Sequence, residues 1–187
     1  MKQLLPLLFA SAFAGCLTTS SPELAEWSIP SVAPKTTRAT SDFGVARLSQ
    51  LLVRAPYDIR SLQVLRSDGT LVADPYNHFA AIPSQLLKGP VQDALGHSRR
   101  FTAVVGSSSS ATVSHTVEVT VTKALLDCSG ESSRLAEVEL SLLVLDRQRA
   151  IVWAGSGFGV GDAKDGDYGS AFAKALKTAI AVAMGEP

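Results

Sequence analysis

Cysteine, histidine and net charge are all in short supply in this sequence. Of 187 residues only Cys16 and Cys128 are cysteine, and only His78, His97 and His115 are histidine. Two cysteines allow one disulfide at most, and no His-x-x-x-His pair or close Cys/His group offers the spacing of a zinc site. The 17 basic residues are matched by 17 acidic ones. That balance leaves no cationic excess for a phosphate backbone and argues against nucleic acid as a partner. Long apolar runs are missing too. Leu4–Phe13, "LLPLLFASAF", is apolar apart from one serine but falls well short of the roughly 20 residues that a bilayer-spanning helix needs. The C-terminal "KALKTAIAVAMGEP" is also too short and carries two lysines. Nothing repeats at the spacing of a solenoid.

Catalytic signatures are equally thin. The glycine-rich stretch "GSGFGVGDAKDGDYG" has its first glycines at 155, 157, 159 and 161, so the dinucleotide pattern Gly-x-Gly-x-x-Gly is not met and no Gly-Lys-Ser/Thr follows. Asp162, Asp165 and Asp167 miss the spacing of a calcium loop and lack its terminal glutamate. The stretch reads as a polar connection from a strand to the last helix. The scattered histidines come with no Gly-x-Ser-x-Gly elbow. A Ser-His-Asp site assembled from distant positions stays open in principle, yet no residue favours it. The expectation is a protein that is not an enzyme and carries neither cofactor nor metal. Arg99-Arg100 reads as a solvated strand edge, with lipid phosphate as the alternative contact. Trp27 and Trp153 are expected to pack, although a tryptophan near the N-terminal tether also suits a membrane interface.

What the chain does have begins at its N-terminus. Lys2 is the only charged side chain before Cys16. A short basic start, an apolar core and a small-residue exit make a secretory signal peptide. The exit, Phe13-Ala14-Gly15-Cys16, resembles the bacterial lipobox, in which small residues precede a cysteine whose sulfur receives a diacylglycerol. A thiolate is the strong nucleophile that thioether formation needs, and small neighbours leave the backbone open to the processing enzymes. Residues 1–15 are thus expected to be removed by cleavage between Gly15 and Cys16, leaving Cys16 lipidated. A single acyl chain binds membranes marginally, whereas two or more anchor stably. A thioether at Cys16 would leave Cys128, in "LLDCSGES", as a single thiol, best read as a small, partly buried residue at a strand end.

Removing residues 1–15 leaves 172 residues, ample for one domain with a full core. Residues 16–25 form a polar, Pro-containing tether, and residues 26–187 the domain. "EWSI", "FGVARLSQLLV", "SLQVLRS" and "RFTAVV" read as strands, with Asp68-Gly69 as a tight turn into "TLVAD". Phe79, Ile82, Leu86, Val91 and Leu95 recur at helical intervals, predicting a helix from about His78 to Leu95 that Gly89-Pro90 kinks or breaks. Alternation in "TVEVTVT", through Val117, Val119 and Val121, then in "RLAEVELSLLVLD" and "RAIVWAG" predicts an antiparallel meander buried on one face. "GDYGSAFAKALKTAIAVAM" is an amphipathic helix with Phe172, Leu176, Ala179 and Ile180 inward, Lys174 and Lys177 outward, and Asp167 or Ser170 as cap. The predicted fold is α+β: one domain, a mixed or mostly antiparallel sheet, and two main helices on one face.

The order of these parts resembles the ABC-type transport auxiliary lipoproteins, the group that includes paraquat-inducible protein C. "EWSIPSVAP" stands where the family has a first strand after the lipidated cysteine. "GVARLSQLLVRAPYDIRSLQVLRSDGTL" is similar to its strand–turn–strand, "YNHFAAIPSQLL" to the entry of its first long helix, and "AEVELSLLVLDRQRAIVWAG" to its central hairpin. The resemblance runs from about Glu26 to Ala183 and departs at Gly89-Pro90, inside a helix that the family leaves uninterrupted. It implies a lipoprotein on the periplasmic side of the cell envelope, docking on an MCE-domain protein or an ABC permease that moves phospholipid. Leu17 after the cysteine, rather than Asp, implies the outer membrane. A free sheet edge also allows a homo-oligomer. The alternative is a carrier that holds a lipid or small molecule between sheet and helices. An adaptor needs that interface closed and dry, a carrier needs it hollow and apolar.

Overall fold

The computed structural model describes residues 23–31, 42–130, 134–163 and 166–186. Its elements are β1 (Ala25–Trp27), β2 (Val45–Val53), β3 (Ser61–Leu65), β4 (Leu71–Phe79), α1 (Pro83–Leu86), α2 (Lys88–His97), β5 (Ala103–Val105), β6 (His115–Asp127), β7 (Leu135–Leu145), β8 (Ile151–Asp162) and α3 (Tyr168–Ala183). The strands form one mixed sheet with the helices on one face, so the fold is α+β as the patterning predicts.

β6 is the spine of the sheet. One of its edges pairs along its whole length with antiparallel β7, which pairs in turn with antiparallel β8. Its other edge is shared: parallel β2 takes the first half and parallel β3 the end. From there the sheet branches, through β2 to β5 and through β3 and β4 to β1. The Val/Thr alternation explains the pairing. Val117, Val119 and Val121 are buried with Leu140, Leu142 and Val144 of β7, while Thr116, Glu118 and Thr120 turn to the other face, the period-two division that buries one side of a sheet.

Two expectations are corrected. The apolar spacing from His78 to Leu95 does not make one helix. His78 and Phe79 complete β4, because the Phe79 N–H donates to the Arg60 carbonyl at 2.7 Å and the Ala80 N–H to that of Trp27 at 2.8 Å. The helical part is divided at Leu87 into α1 and α2, and Gly89-Pro90 lies in the first turn of α2. Proline is tolerated there because its missing N–H would have had no intrahelical partner. Nor is the glycine-rich stretch a polar connection. Gly155–Asp162 is the second half of β8, hydrogen-bonded to β7 throughout.

Those glycines set the position of α3. A Cβ at Gly155, Gly157, Gly159 or Gly161 would stand 1.9–2.0 Å from the backbone carbonyl oxygens of Ala183, Ala179, Ala175 and Ala171 respectively. Every second strand residue meets every fourth helix residue, since two strand steps span about 6.8 Å and four helical steps about 6.0 Å. Helix backbone therefore rests directly on strand backbone. The next row round the helix, Phe172, Leu176 and Ile180, is fully buried and points inboard, with Phe172 edge-to-face on Phe79 at 5.3 Å. Val91 and Leu95 of α2 close the same core. At the start of α3, Asp167 accepts a hydrogen bond from the Ser170 N–H at 3.0 Å, the capping arrangement expected of it.

Gly159→Ala should lower stability by roughly 1–3 kcal/mol, the usual cost of overpacking, because neither backbone can yield. Gly96→Ala in α2, where a Cβ meets nothing within 4 Å, should instead stabilise by about 0.4–1 kcal/mol. Thermal or denaturant unfolding of the two variants checks both signs.

Candidate functional site

Among the described residues, those that carry possible chemistry do not converge. Gly15 and Cys16 lie outside the described residues. His78 in β4 stands 3.4 Å from Ser61 Oγ. His97, at the end of α2, has its Nδ1 2.7 Å from the Asp93 carbonyl. His115 begins β6 and faces the Phe43 carbonyl through Nδ1. Ser114 Oγ lies 3.1 Å from the same nitrogen, but also 2.8 Å and 2.9 Å from the carbonyls of Phe43 and Val45. That hydroxyl is committed to backbone, and the Ser-His pair is a clasp between the start of β6 and the strand beside it. Among the described residues no group of three or more His, Cys, Asp or Glu side chains is placed to hold a metal. Asp165 is outside them, and Asp167 is the α3 cap.

Cys128 follows β6, its N–H donating to the Leu65 carbonyl at 2.9 Å. It is half-buried and unpaired with sulfur. Burial pushes its thiol pKa up, with Arg134 opposing, the reverse of what an activated cysteine needs. Arg100 is a structural clamp. Its guanidinium carbon sits 4.3 Å from the Trp153 ring centroid, its Nη1 pairs with Asp42 at 2.8 Å and its Nε donates to the Met184 carbonyl at 3.1 Å. The Arg99 N–H donates to Glu186 at 2.6 Å. Both arginines thus tie the C-terminus down. The tryptophans pack as expected: Trp153 Nε1 donates to the Ala183 carbonyl at 3.1 Å, and Trp27 Nε1 to Asn77 Oδ1 at 3.1 Å with its ring edge-on to Tyr168.

Three surface features remain as the candidate functional surfaces. The first is a cleft of about 300 Å³ between α2 and α3, with Pro30, Pro90, Ala94, Ala173 and Leu176 as its apolar lining and Lys174 and Lys177 at its margin. It lies between helices, on the side away from the sheet. The second is β8 and the sheet face beside it. β8 pairs only with β7, so the other edge of this 12-residue strand carries free N–H and C=O groups among the described residues. Phe158 is exposed there, with the Lys123–Glu137 ion pair at 2.6 Å between β6 and β7 and the Arg149–Glu118 pair at 3.3 Å joining the β7–β8 turn to β6. The pairing with Glu137, partly offset by burial, raises the Lys123 pKa. The third is the opposite edge, where Leu24 and Tyr76 are 51% and 47% exposed. Sequence patterning did not single out any of the three. The signal for the second was present, since alternating glycines cannot supply a polar loop with side chains but can bring a helix close.

No protein-family model matches the sequence, and no curated protein matches it significantly. Solved structures do share the fold. Protein XCC0632 from Xanthomonas campestris, of family DUF330, superposes with a TM-score of 0.61 at 16% identity over 82% of this chain and 88% of that one. An uncharacterized protein superposes with a TM-score of 0.57 at 14% identity, covering 87% and 91%. The PelC dodecamer from Paraburkholderia phytofirmans gives a TM-score of 0.45 at 11% identity, covering 80% and 90%, a likeness too distant to carry an argument. The shared class is thus an α+β fold found in DUF330 structures. No helix among the described residues is long and apolar enough to cross a membrane.

Cys128 should be a slow thiol. With its pKa raised, alkylation of the folded protein near neutral pH should run slower than that of free cysteine and climb only at more alkaline pH. Unfolding should restore the ordinary rate, as mass-resolved labelling with iodoacetamide would read.

Proposed function

We propose that this chain is a bacterial envelope lipoprotein, cleaved between Gly15 and Cys16 and lipidated on Cys16, that acts as a non-catalytic adaptor of an ABC/MCE-type lipid transport system. The observation that carries the adaptor reading is the α3–β8 seam. Carbonyl oxygens of α3 occupy the space where side chains of β8 would stand, so this seam has no room for cargo, and the cavity of about 350 Å³ between β2 and α2 is lined by polar groups such as Ser49, Gln50, Lys88 and Gln92 rather than by an apolar wall. A carrier of the kind that binds between sheet and helices needs that space. What the fold offers a partner is outside: a free strand edge, an exposed sheet face and the α2–α3 cleft. Unpaired strand edges pair readily with another chain.

The lipobox-like exit before Cys16 and the order of segments support membership among the auxiliary lipoproteins, and the fold shared with a DUF330 structure is compatible with it. In that setting the partner is an MCE-domain protein or an ABC permease, and the anchor lies on the periplasmic side, at the outer membrane by the rule that Leu17 follows. The carrier reading retains one observation of its own, the apolar α2–α3 cleft, which is large enough for part of a small apolar ligand.

Two experiments test this. Cys16→Ser should move the protein from the membrane to the soluble fraction, and a variant that stays in the membrane refutes the lipid anchor. Mild crosslinking in the native envelope, followed by mass spectrometry of proteins and lipids, should recover an MCE-domain protein or an ABC permease. Stoichiometric lipid with neither of these would replace the adaptor with a carrier.

A further inference from the structure

We infer that the Leu24–Tyr76 corner of the sheet is a membrane-contact surface, on which the folded domain rests against the bilayer that holds its anchor. The inference depends on the reading of Cys16 as lipidated. Leu24 is eight residues beyond Cys16, a stretch that reaches at most about 28 Å when fully extended. β1 is the part of the fold that the chain reaches first from Cys16. The chain enters the domain there, at one edge of the sheet, with β8 at the far end of the path β1-β4-β3-β6-β7-β8.

The chemistry of that edge suits an interface. β1 runs parallel to β4 with Ala25 opposite Asn77 and Glu26 opposite His78. Leu24 and Tyr76 each directly precede the first paired residues, so both lie at this end of the β1–β4 ladder. Both are exposed. Tyr76 is presented by an irregularity in β4: the ladder to β3 shifts between Ser61 and Gln63, and Asp74 organises the displaced residues. Its carboxylate accepts the N–H groups of Tyr76 at 2.8 Å and Asn77 at 3.1 Å, and the Asn77 amide at 2.9 Å. The nearby charges are thereby occupied. Asp74 is spent on those three donors, and Glu26 pairs with Arg60. Glu23, which adjoins Leu24, is the one charge between Cys16 and Leu24.

A leucine beside a tyrosine is the kind of surface that settles at headgroup depth, where an aromatic ring meets the apolar boundary and its hydroxyl stays wet, with the flanking carboxylates on the water side. Trp27, which the sequence makes the obvious interfacial aromatic, is packed on Tyr168 and does not serve. Lipid chains on Cys16 hold the protein at the membrane. The corner adds orientation, turning the β8 edge and its exposed sheet face away from the lipid toward a partner.

The test uses full-length acylated protein in vesicles of phosphatidylethanolamine and phosphatidylglycerol. A polarity-sensitive NBD label is placed at Tyr76→Cys, at Leu24→Cys, or at Gln148→Cys in the β7–β8 turn as a distal control, each with Cys128→Ser. Folding of each is checked by thermal unfolding, so that failure of one corner variant leaves the other. The expected result is blue-shifted, brighter emission at positions 24 and 76, quenched by lipids with a shallow nitroxide, and a water-like, unquenched signal at 148. Acylation is read separately from the intact mass. If the acyl mass is present and the protein is bound, but both corner labels stay water-like, the contact is overturned and the anchor stands. If the corner labels shift only when a second protein is crosslinked to them, the surface belongs to that protein and the proposal falls. If no acyl mass is found, the lipidation reading fails and this inference with it.

Discussion

The fold depends on one backbone-to-backbone contact, the seam between β8 and α3. Four glycines at alternate strand positions face four alanines at every fourth helix position, and no side chain lies between the two backbones. Such an approach multiplies small dispersion terms along four repeats and forbids any other spacing of the two elements. It draws α3 down until Phe172, Leu176 and Ile180 reach the core beneath it, and α2 then packs on the side of α3, with Gln92 Nε2 donating to the Val104 carbonyl of β5 at 3.3 Å. The depth of the core, the position of the second helix and the closure of the sheet's inner face all follow from it.

The same contact leaves no chamber along the α3–β8 seam, and open surface lies elsewhere, at the edges and faces of the sheet. β6 contributes to this by holding partners on both sides. Because it is paired by β7 on one edge and by β2 and β3 on the other, the unpaired strand groups are displaced to the periphery, at β8 on one side and at the short β1 and β5 on the other. One periphery is where the N-terminal part of the chain enters the sheet and the other is remote from it.

The parts that were legible beforehand have signals of local origin. The alternation through Val117, Val119 and Val121, and through Val138, Leu140, Leu142 and Val144, is a property of consecutive residues, and the meander follows from it. The inward row of α3 and the Asp167 cap are likewise local. The false helix across His78–Leu95 shows the limit of such reading. Phe79 falls on the helical interval by coincidence, while its N–H is claimed by the Arg60 carbonyl, a partner 19 residues earlier. The glycines of β8 are the converse case. Read alone they look like a loop, and only alongside the alanines of α3 do they become a packing surface.

The sequence by itself determined the amphipathic C-terminal helix and the three-strand meander, because each is written in neighbouring residues. Tertiary structure decided the rest. It assigned parallel β2 and β3 to one edge of β6, converted a glycine run into the tightest contact of the core, spent Arg100 and Trp153 on the C-terminus, and packed Trp27 on Tyr168 while leaving Tyr76 exposed. The physical reason is that these outcomes are set by which distant backbones satisfy one another and how closely they can approach, and neither property belongs to any single stretch of chain.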